Sequence, residues 1–206
     1  MAVPKDNKYT KIITNLWHRS IARYLSKRRG QMVKTWLSGD VLDIGCGGEY
    51  PLTEFLQLGQ GYVGVDIQEE VIRRLQKENP DYRYYCIDIE ENSLTDIIKD
   101  RFDTVVMLAV IEHLRSPESV LRQCRNLLKP DGKLIITTPT SGGDKIIRSV
   151  KSLLGVKHEE QSGYSPHRFS FDQAGLTSLL AEQGEFRVIK YQKFELGLNQ
   201  VIIASL

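Results

Sequence analysis

The chain has 206 residues, 41% of them hydrophobic and 26% charged, which suits one soluble globular domain with a full core and leaves no room for two. No apolar run approaches the roughly 18 residues of a membrane span, and the opening MAVPKDNKYT has no apolar signal core, so a cytoplasmic protein is expected. Net charge is +2, but residues 1–40 hold nine Lys or Arg against Asp6 and Asp40, leaving +7 there and −5 in the remainder. Such a segment attracts an anionic substrate, a membrane surface or nucleic acid; for any one residue in it, a solvated helix face is the plainer reading.

Residues 10–37 read as helical, with Ile13, Trp17, Ile21, Tyr24 and Leu25 as an apolar stripe and Gly30 as an interruption. Val41–Ile44 is a short buried strand running into a glycine-rich turn, after which Pro51 opens a helix to about Leu58. Strand Tyr62–Val65 precedes helix Glu69–Glu78, and strand Tyr84–Ile87 precedes helix Leu94–Lys99. Strand Thr104–Leu108 precedes helix Pro117–Leu128, stopped by Lys129-Pro130-Asp131-Gly132, and Lys133–Thr138 is a fifth strand. Strands and helices alternating at this spacing predict an α/β fold with a parallel sheet covered on both faces. After a helix at Phe171–Gln183, strands Phe186–Phe194 and Gln200–Ala204 are joined too tightly for a crossover, so the last strand runs antiparallel. The three cysteines (Cys46, Cys86, Cys124) lack metal-ligand spacing and read as reduced thiols.

The strongest chemical signal is Val41-Leu42-Asp43-Ile44-Gly45-Cys46-Gly47-Gly48, a buried strand ending in glycines that admit a ligand close to the backbone. Asp66 ends the next strand, 23 positions after Asp43, where a carboxylate can accept from both hydroxyls of a ribose. Asp88 ends the third strand and can accept from the exocyclic amino group of adenine. A strand-end Asp is also a common helix cap, so the weight lies in finding both beside a glycine turn. Together they favour a bound adenosine.

The segments VLDIGCGG, VGVDI, CIDI, FDTVVMLAVIEHL and LLKPDGKLIITTP, in this order, resemble class I S-adenosylmethionine-dependent methyltransferases over residues 38–205, closest to the group with Ile-Glu-His-Leu after strand four. The resemblance implies a Rossmann-like three-layer sandwich with a seven-stranded, mostly parallel sheet and an antiparallel last strand. It implies S-adenosylmethionine as cofactor, with Gly45, Cys46, Gly47 and the adjacent Gly48 at its methionine part and Asp43 holding the turn. Asp66 and Ile67 would meet ribose and adenine, Asp88 and Ile89 would frame the adenine, and Leu108 and Ala109 would line the methyl end. The family's third glycine is replaced by Glu49. The resulting division is a helical cap at 1–37, a cofactor-binding core at 38–139, a lid-like insertion at 140–168 and a terminal helix and hairpin at 169–206.

His113 and His167 are the candidate bases. For His113 a structural role beside strand four stands equally open, and the recurrence of Glu-His among enzymes with many substrates favours it. Some quinone-pathway relatives bind a metal through Glu-x-x-Glu-His, but Ala109 stands at the first Glu position, so no metal is expected. The insertion carries Lys145, Arg148 and Lys151 on a helix at Ile146–Leu154, then His158 and Tyr164. With the N-terminal helix, it is expected to select the acceptor. Leu108-Ala109-Val110-Ile111 is not the Asn-Pro-Pro-Tyr type, no Pro-Cys nucleophile is present, and a near-neutral chain argues against a nucleic-acid partner. The expected reaction is methyl transfer to O or N of a small-molecule, glycan or lipid-precursor acceptor, with membrane contact through the basic N-terminus an open possibility. The alternatives are a cofactor- or partner-binding domain without turnover and a nicotinamide-dependent oxidoreductase; against the latter, no second nucleotide-binding half is present.

Overall fold

The apolar runs pair into a single sheet in the computed structural model, which describes residues 8–153 and 167–206. Its strands are β1 (Val41–Ile44), β2 (Tyr62–Asp66), β3 (Arg83–Cys86), β4 (Phe102–Leu108), β5 (Leu128–Pro139), β6 (Arg187–Phe194) and β7 (Asn199–Ser205). They lie in the order β3-β2-β1-β4-β5-β7-β6. β1 pairs in parallel with β2 and β4, β2 with β3, and β4 with β5, whereas β7 is antiparallel to both β5 and β6. Residues 195–198 allow only a hairpin between β6 and β7. The Rossmann-like sheet with its antiparallel last strand is as the sequence led us to expect.

Helices α1 (Lys8–Val33), α2 (Glu69–Glu78), α3 (Leu94–Ile97), α4 (Pro117–Leu127), α5 (Ser141–Leu153) and α6 (Gln173–Gly184) complete the order. Leu42, Ile44, Val105, Met107, Leu134 and Ile136 pack with Leu121 and Cys124 of α4 and Leu176 and Leu180 of α6. On the opposite face, Val41, Tyr62, Val106 and Ile135 pack with Val33 of α1 and Ile72 and Leu75 of α2. Cover on both sides explains why the central strands are continuous apolar runs instead of alternating ones.

Four local expectations are corrected. Gly30 does not interrupt α1 but lies buried within it, and a Cβ there would stand 2.1 Å from the Phe55 ring. The glycine is a docking point. Pro51 opens only a 3-10 turn, Leu52–Phe55, because the chain turns extended again at Leu56. β5 starts at Leu128, directly after α4, since Leu128 already pairs with Phe102; the Lys-Pro-Asp-Gly stretch stops the helix without delaying the strand. In α1 the buried contacts come from Gly30 and Val33, while Ile21 and Tyr24 of the expected stripe are exposed. The side chains of Ile13 and Trp17, and residues His158 and Tyr164, lie outside the described part. Among the described residues no helix is long and apolar enough to cross a membrane.

The Gly30 contact generates a test. A valine at 30 must push the Phe55 ring aside, and overpacking of this kind costs about 1–3 kcal/mol. Gly30→Val is therefore expected to lower the unfolding midpoint in urea, with Phe55→Ala in the same chain recovering part of the loss; an unaltered midpoint would show that α1 does not dock there.

Candidate active site

The loop after β1 is set by backbone alone. Gly45 has φ +78, a left-handed conformation that glycine adopts without strain. The amides of Gly45 and Cys46 both donate to the carbonyl of Val65 on β2, at 2.8 and 3.1 Å. A side chain at 45 would also strike Val110, whose Cγ2 lies 2.3 Å from the position of a Cβ. Glu49, where the family has its third glycine, is not among the residues with positive φ, so the turn accepts an L side chain there. Gly48 instead gives room to α1, with Ser26 Oγ 3.2 Å from where its Cβ would be. α1 covers the loop further through Tyr50, whose ring faces the Arg23 guanidinium at 5.2 Å and the Lys27 ammonium at 5.5 Å.

At the end of β2, Asp66 uses both carboxylate oxygens. Oδ2 accepts from the Gly47 amide at 3.0 Å, and Oδ1 accepts from the Gln68 amide at 2.9 Å. It thus caps the approach to α2 and also fixes the glycine loop. An ionised carboxylate offers about four acceptor positions, so these two hydrogen bonds leave acceptor capacity unused. Asp88 repeats the local turn, with Oδ1 accepting from the Glu90 amide at 2.9 Å. Ile67 is 58% exposed beside Asp66, an unusual place for an isoleucine and a flat apolar surface at the sheet edge, whereas Ile89 is buried in the core.

Asp43 is buried under the loop, and Tyr62 on β2 donates to its Oδ2 at 2.8 Å. Burial pushes its carboxyl up to about 7, against the pull of the Tyr62 hydrogen bond and with a smaller push from Asp66. The Cys46 thiol is likewise pushed up by burial and stays protonated.

The other side of the site starts at the end of β4. Ala109 is left-handed, with φ 58, and its amide donates to the Thr137 carbonyl at 2.8 Å. This strained residue turns the chain into the 3-10 turn Ile111–His113. Glu112 is buried there, and neither carboxylate oxygen makes a hydrogen bond among the described residues. Burial raises its pKa, opposed by its own backbone amide, Arg29 of α1 and His167. The amides of Arg168 and Phe169 donate to the Glu112 carbonyl at 2.8 and 3.2 Å. That strap sets the His167 ring 4.7 Å, centroid to centroid, from His113. The donor atoms of Glu112, His113 and His167 lie within 4.8 Å of one another, a set able to hold a cation.

The two candidate histidines, 54 positions apart in the chain, therefore meet. Sequence reasoning missed Asp144, whose Oδ1 lies 2.7 Å from His167 Nδ1. The expected helix began at Ile146 and left Asp144 outside it; α5 starts at Ser141, which puts Asp144 in its first turn. Glu112 was seen only as part of a motif, since nothing local marks its burial.

This architecture is that of a Rossmann-like α/β domain with a glycine turn and acidic strand ends. The model of a methyltransferase domain family matches residues 9–190, and the chain belongs to that family. The fold resembles that of an S-adenosylmethionine-dependent methyltransferase from Clostridium acetobutylicum, with TM-score 0.64 and 15% identity, covering 97% of this chain and 99% of that one. It also resembles magnesium protoporphyrin IX methyltransferase from Synechocystis PCC 6803 with bound SAH, with TM-score 0.59 and 17% identity, covering 98% of this chain and 89% of that one. In sequence the chain is 34% identical over 104 residues to a ubiquinone biosynthesis O-methyltransferase of Actinobacillus pleuropneumoniae, 48% of this chain and 44% of that protein. It is 41% identical over 112 residues to the mitochondrial ubiquinone biosynthesis O-methyltransferase of Bos taurus, 50% of this chain and 29% of that protein. Each match spans less than half the length of these curated relatives.

The state of Asp43 has a measurable consequence. Its folded pKa lies above the ordinary 3.8, so the folded form holds a proton that the unfolded form has released. Stability from this group is full below about pH 4 and is lost as pH rises through about 7. Asp43→Asn is neutral throughout, so the stability of the parent relative to this variant should fall across that window and level off above it. Denaturant titrations at several pH values would read this; parallel pH profiles would refute a buried proton on Asp43.

Proposed function

We propose that this chain binds S-adenosylmethionine at the carboxyl edge of β1, β2 and β3 and transfers its methyl group to an oxygen of a small molecule. The observation that carries the reading is the Asp66 carboxylate, anchored on Gly47 and Gln68 amides with acceptor capacity left over, beside a left-handed Gly45. In this reading Gly45, Cys46, Gly47 and Gly48 face the methionine part, and Asp43 supports them from beneath. Asp66 accepts from the ribose hydroxyls, the exposed Ile67 lies against the adenine, and Asp88 closes its far edge, with Ile89 packed in the core behind it. Leu108 and Ala109 border the methyl group. The bound cofactor supplies an electrophilic methyl on a sulfonium. The chain's own part is to align donor and acceptor and keep water from between them, which can supply much of the rate.

Oxygen is preferred to nitrogen because the relatives matched over about half of this chain are named O-methyltransferases, and because the histidine pair offers proton acceptors near the end of β4. The basic residues of the N-terminal segment favour an anionic or lipid-linked acceptor and provide for contact with a membrane surface.

Two measurements test the reading. Calorimetric titration should give binding of S-adenosylmethionine and its demethylated product and none of NAD; tighter binding of NAD would refute it. Asp66→Ala should weaken cofactor binding by about 1.5–3 kcal/mol, the range for a hydrogen bond to a charged group. Because Asp66 also holds Gly47, Asp66→Asn should lose less, keeping one oxygen acceptor. An unchanged dissociation constant in folded Asp66→Ala would place the ribose partner elsewhere.

A further inference from the structure

Asp144 is a buried acidic side chain that cofactor binding leaves without a task. It sits 4% exposed in the first turn of α5, where the helix N-terminus favours negative charge. Thr140 caps that helix, its Oγ1 accepting from the Gly143 amide at 3.0 Å, and the Thr140 carbonyl accepts from the Asp144 amide at 2.8 Å. A carboxylate so buried needs a partner. His167 Nδ1 stands 2.7 Å from its Oδ1, with the His167 side chain 26% exposed and so open to a ligand. His167 is pinned from its other side by the amides of Arg168 and Phe169 on the Glu112 carbonyl and by the bridge between Thr140 and Phe171. The cap of α5 at Thr140 thus fixes the Asp144 end of the pair, and the turn after β4 fixes the His167 end.

We propose that His167 accepts the proton of the acceptor hydroxyl and that Asp144 is the positioning residue holding its ring in the tautomer able to do so. The inference rests on the oxygen-acceptor reading above. With Nδ1–H donated to Asp144, Nε2 carries the free lone pair. The acceptor O–H bond breaks toward Nε2 while the oxygen bonds to the methyl carbon. The carbon–sulfur bond breaks with its electron pair staying on sulfur, which leaves a neutral thioether and a methyl ether. The imidazolium formed is balanced by Asp144 and later gives its proton to water. The charged and titratable groups around it are Asp144 from α5, Glu112 and His113 from the turn after β4, and Arg29 of α1, which acts on Glu112. The Asp144 contact singles out His167 between the two histidines.

The experiment has a ligand-free arm and a turnover arm. Long-range nitrogen–proton spectra of the histidine-labelled full chain should find neutral His167 as the Nδ1–H tautomer. In Asp144→Asn the amide donates to Nδ1 and moves the proton to Nε2. An Nε2–H tautomer in the parent protein overturns the proposal. In turnover with phenol, Asp144→Asn and His167→Ala should each lose about a hundredfold or more in kcat, with the dissociation constant for S-adenosylmethionine unchanged. With para-nitrophenol, about half of it already ionised at neutral pH, the same variants should lose less than about tenfold, since the anion has no proton left to be taken. Equal loss on both phenols, or no loss, refutes the dyad alone. A parent protein that binds the cofactor yet methylates neither phenol refutes the oxygen-acceptor reading and this inference with it. Activity abolished by a chelator and restored by zinc or magnesium would assign His167 Nε2 to a cation and overturn the proposal.

Discussion

The Asp66 carboxylate ties together the loop after β1 and the start of α2, on which the carboxyl edge of the first strands depends. One oxygen holds Gly47 and the other holds Gln68, so the loop after β1 and the start of α2 are fixed by one side chain at the end of β2. The arrangement works because β1 and β2 are in parallel register, with Ile44 opposite Val65, so their carboxyl ends come level. The Val65 carbonyl, left without a partner on β1 beyond Ile44, then takes the amides of Gly45 and Cys46. Hydrogen bonds to a carboxylate are stronger than those between neutral groups, so one side chain can hold both segments. The same geometry explains why Glu49 is tolerated: the left-handed turn is made at Gly45, and the later position carries no such demand.

The region beyond β4 is built differently, from long-range contacts around a buried acid. Glu112 faces a cost of desolvation and answers it by holding its proton more tightly. Its backbone carbonyl meanwhile anchors the chain returning from the insertion, through Arg168 and Phe169. Asp144 meets the same cost by a helix N-terminus and a histidine. Two buried acids within one neighbourhood, one holding its proton more tightly and the other given a partner, are a recurring way to separate roles among similar groups. The left-handed Ala109 stores strain at the point where the two sides meet.

α1 joins the sides. Its Gly30 fits under Phe55, Ser26 reaches Gly48, Arg23 and Lys27 lie over Tyr50, and Arg29 acts on Glu112. Its positive charge, conspicuous in the sequence, is in part spent on an aromatic ring instead of on solvent.

By itself the sequence determined the sheet, and the glycine turn and the acidic residue at the ends of its first two strands. Val41–Ile44 and Tyr62–Asp66 are apolar runs that a doubly covered sheet requires, and the residues that end them, Gly45 and Asp66, are adjacent to those runs in the chain. Local pattern was enough there because Gly45 directly follows β1 and Asp66 is the last residue of β2. It was not enough at Gly30, where a glycine reads as a helix breaker unless the Phe55 ring is known to lie against it, or at Leu128, where pairing with Phe102 overrides a Pro-Asp-Gly stretch. The meeting of His113, His167 and Asp144 was decided by tertiary structure alone. Those residues belong to three segments brought together by backbone hydrogen bonds to Glu112 and by the capping of α5 at Thr140. Contacts between segments so far apart follow from how the chain closes over the sheet, and no periodicity along it records them.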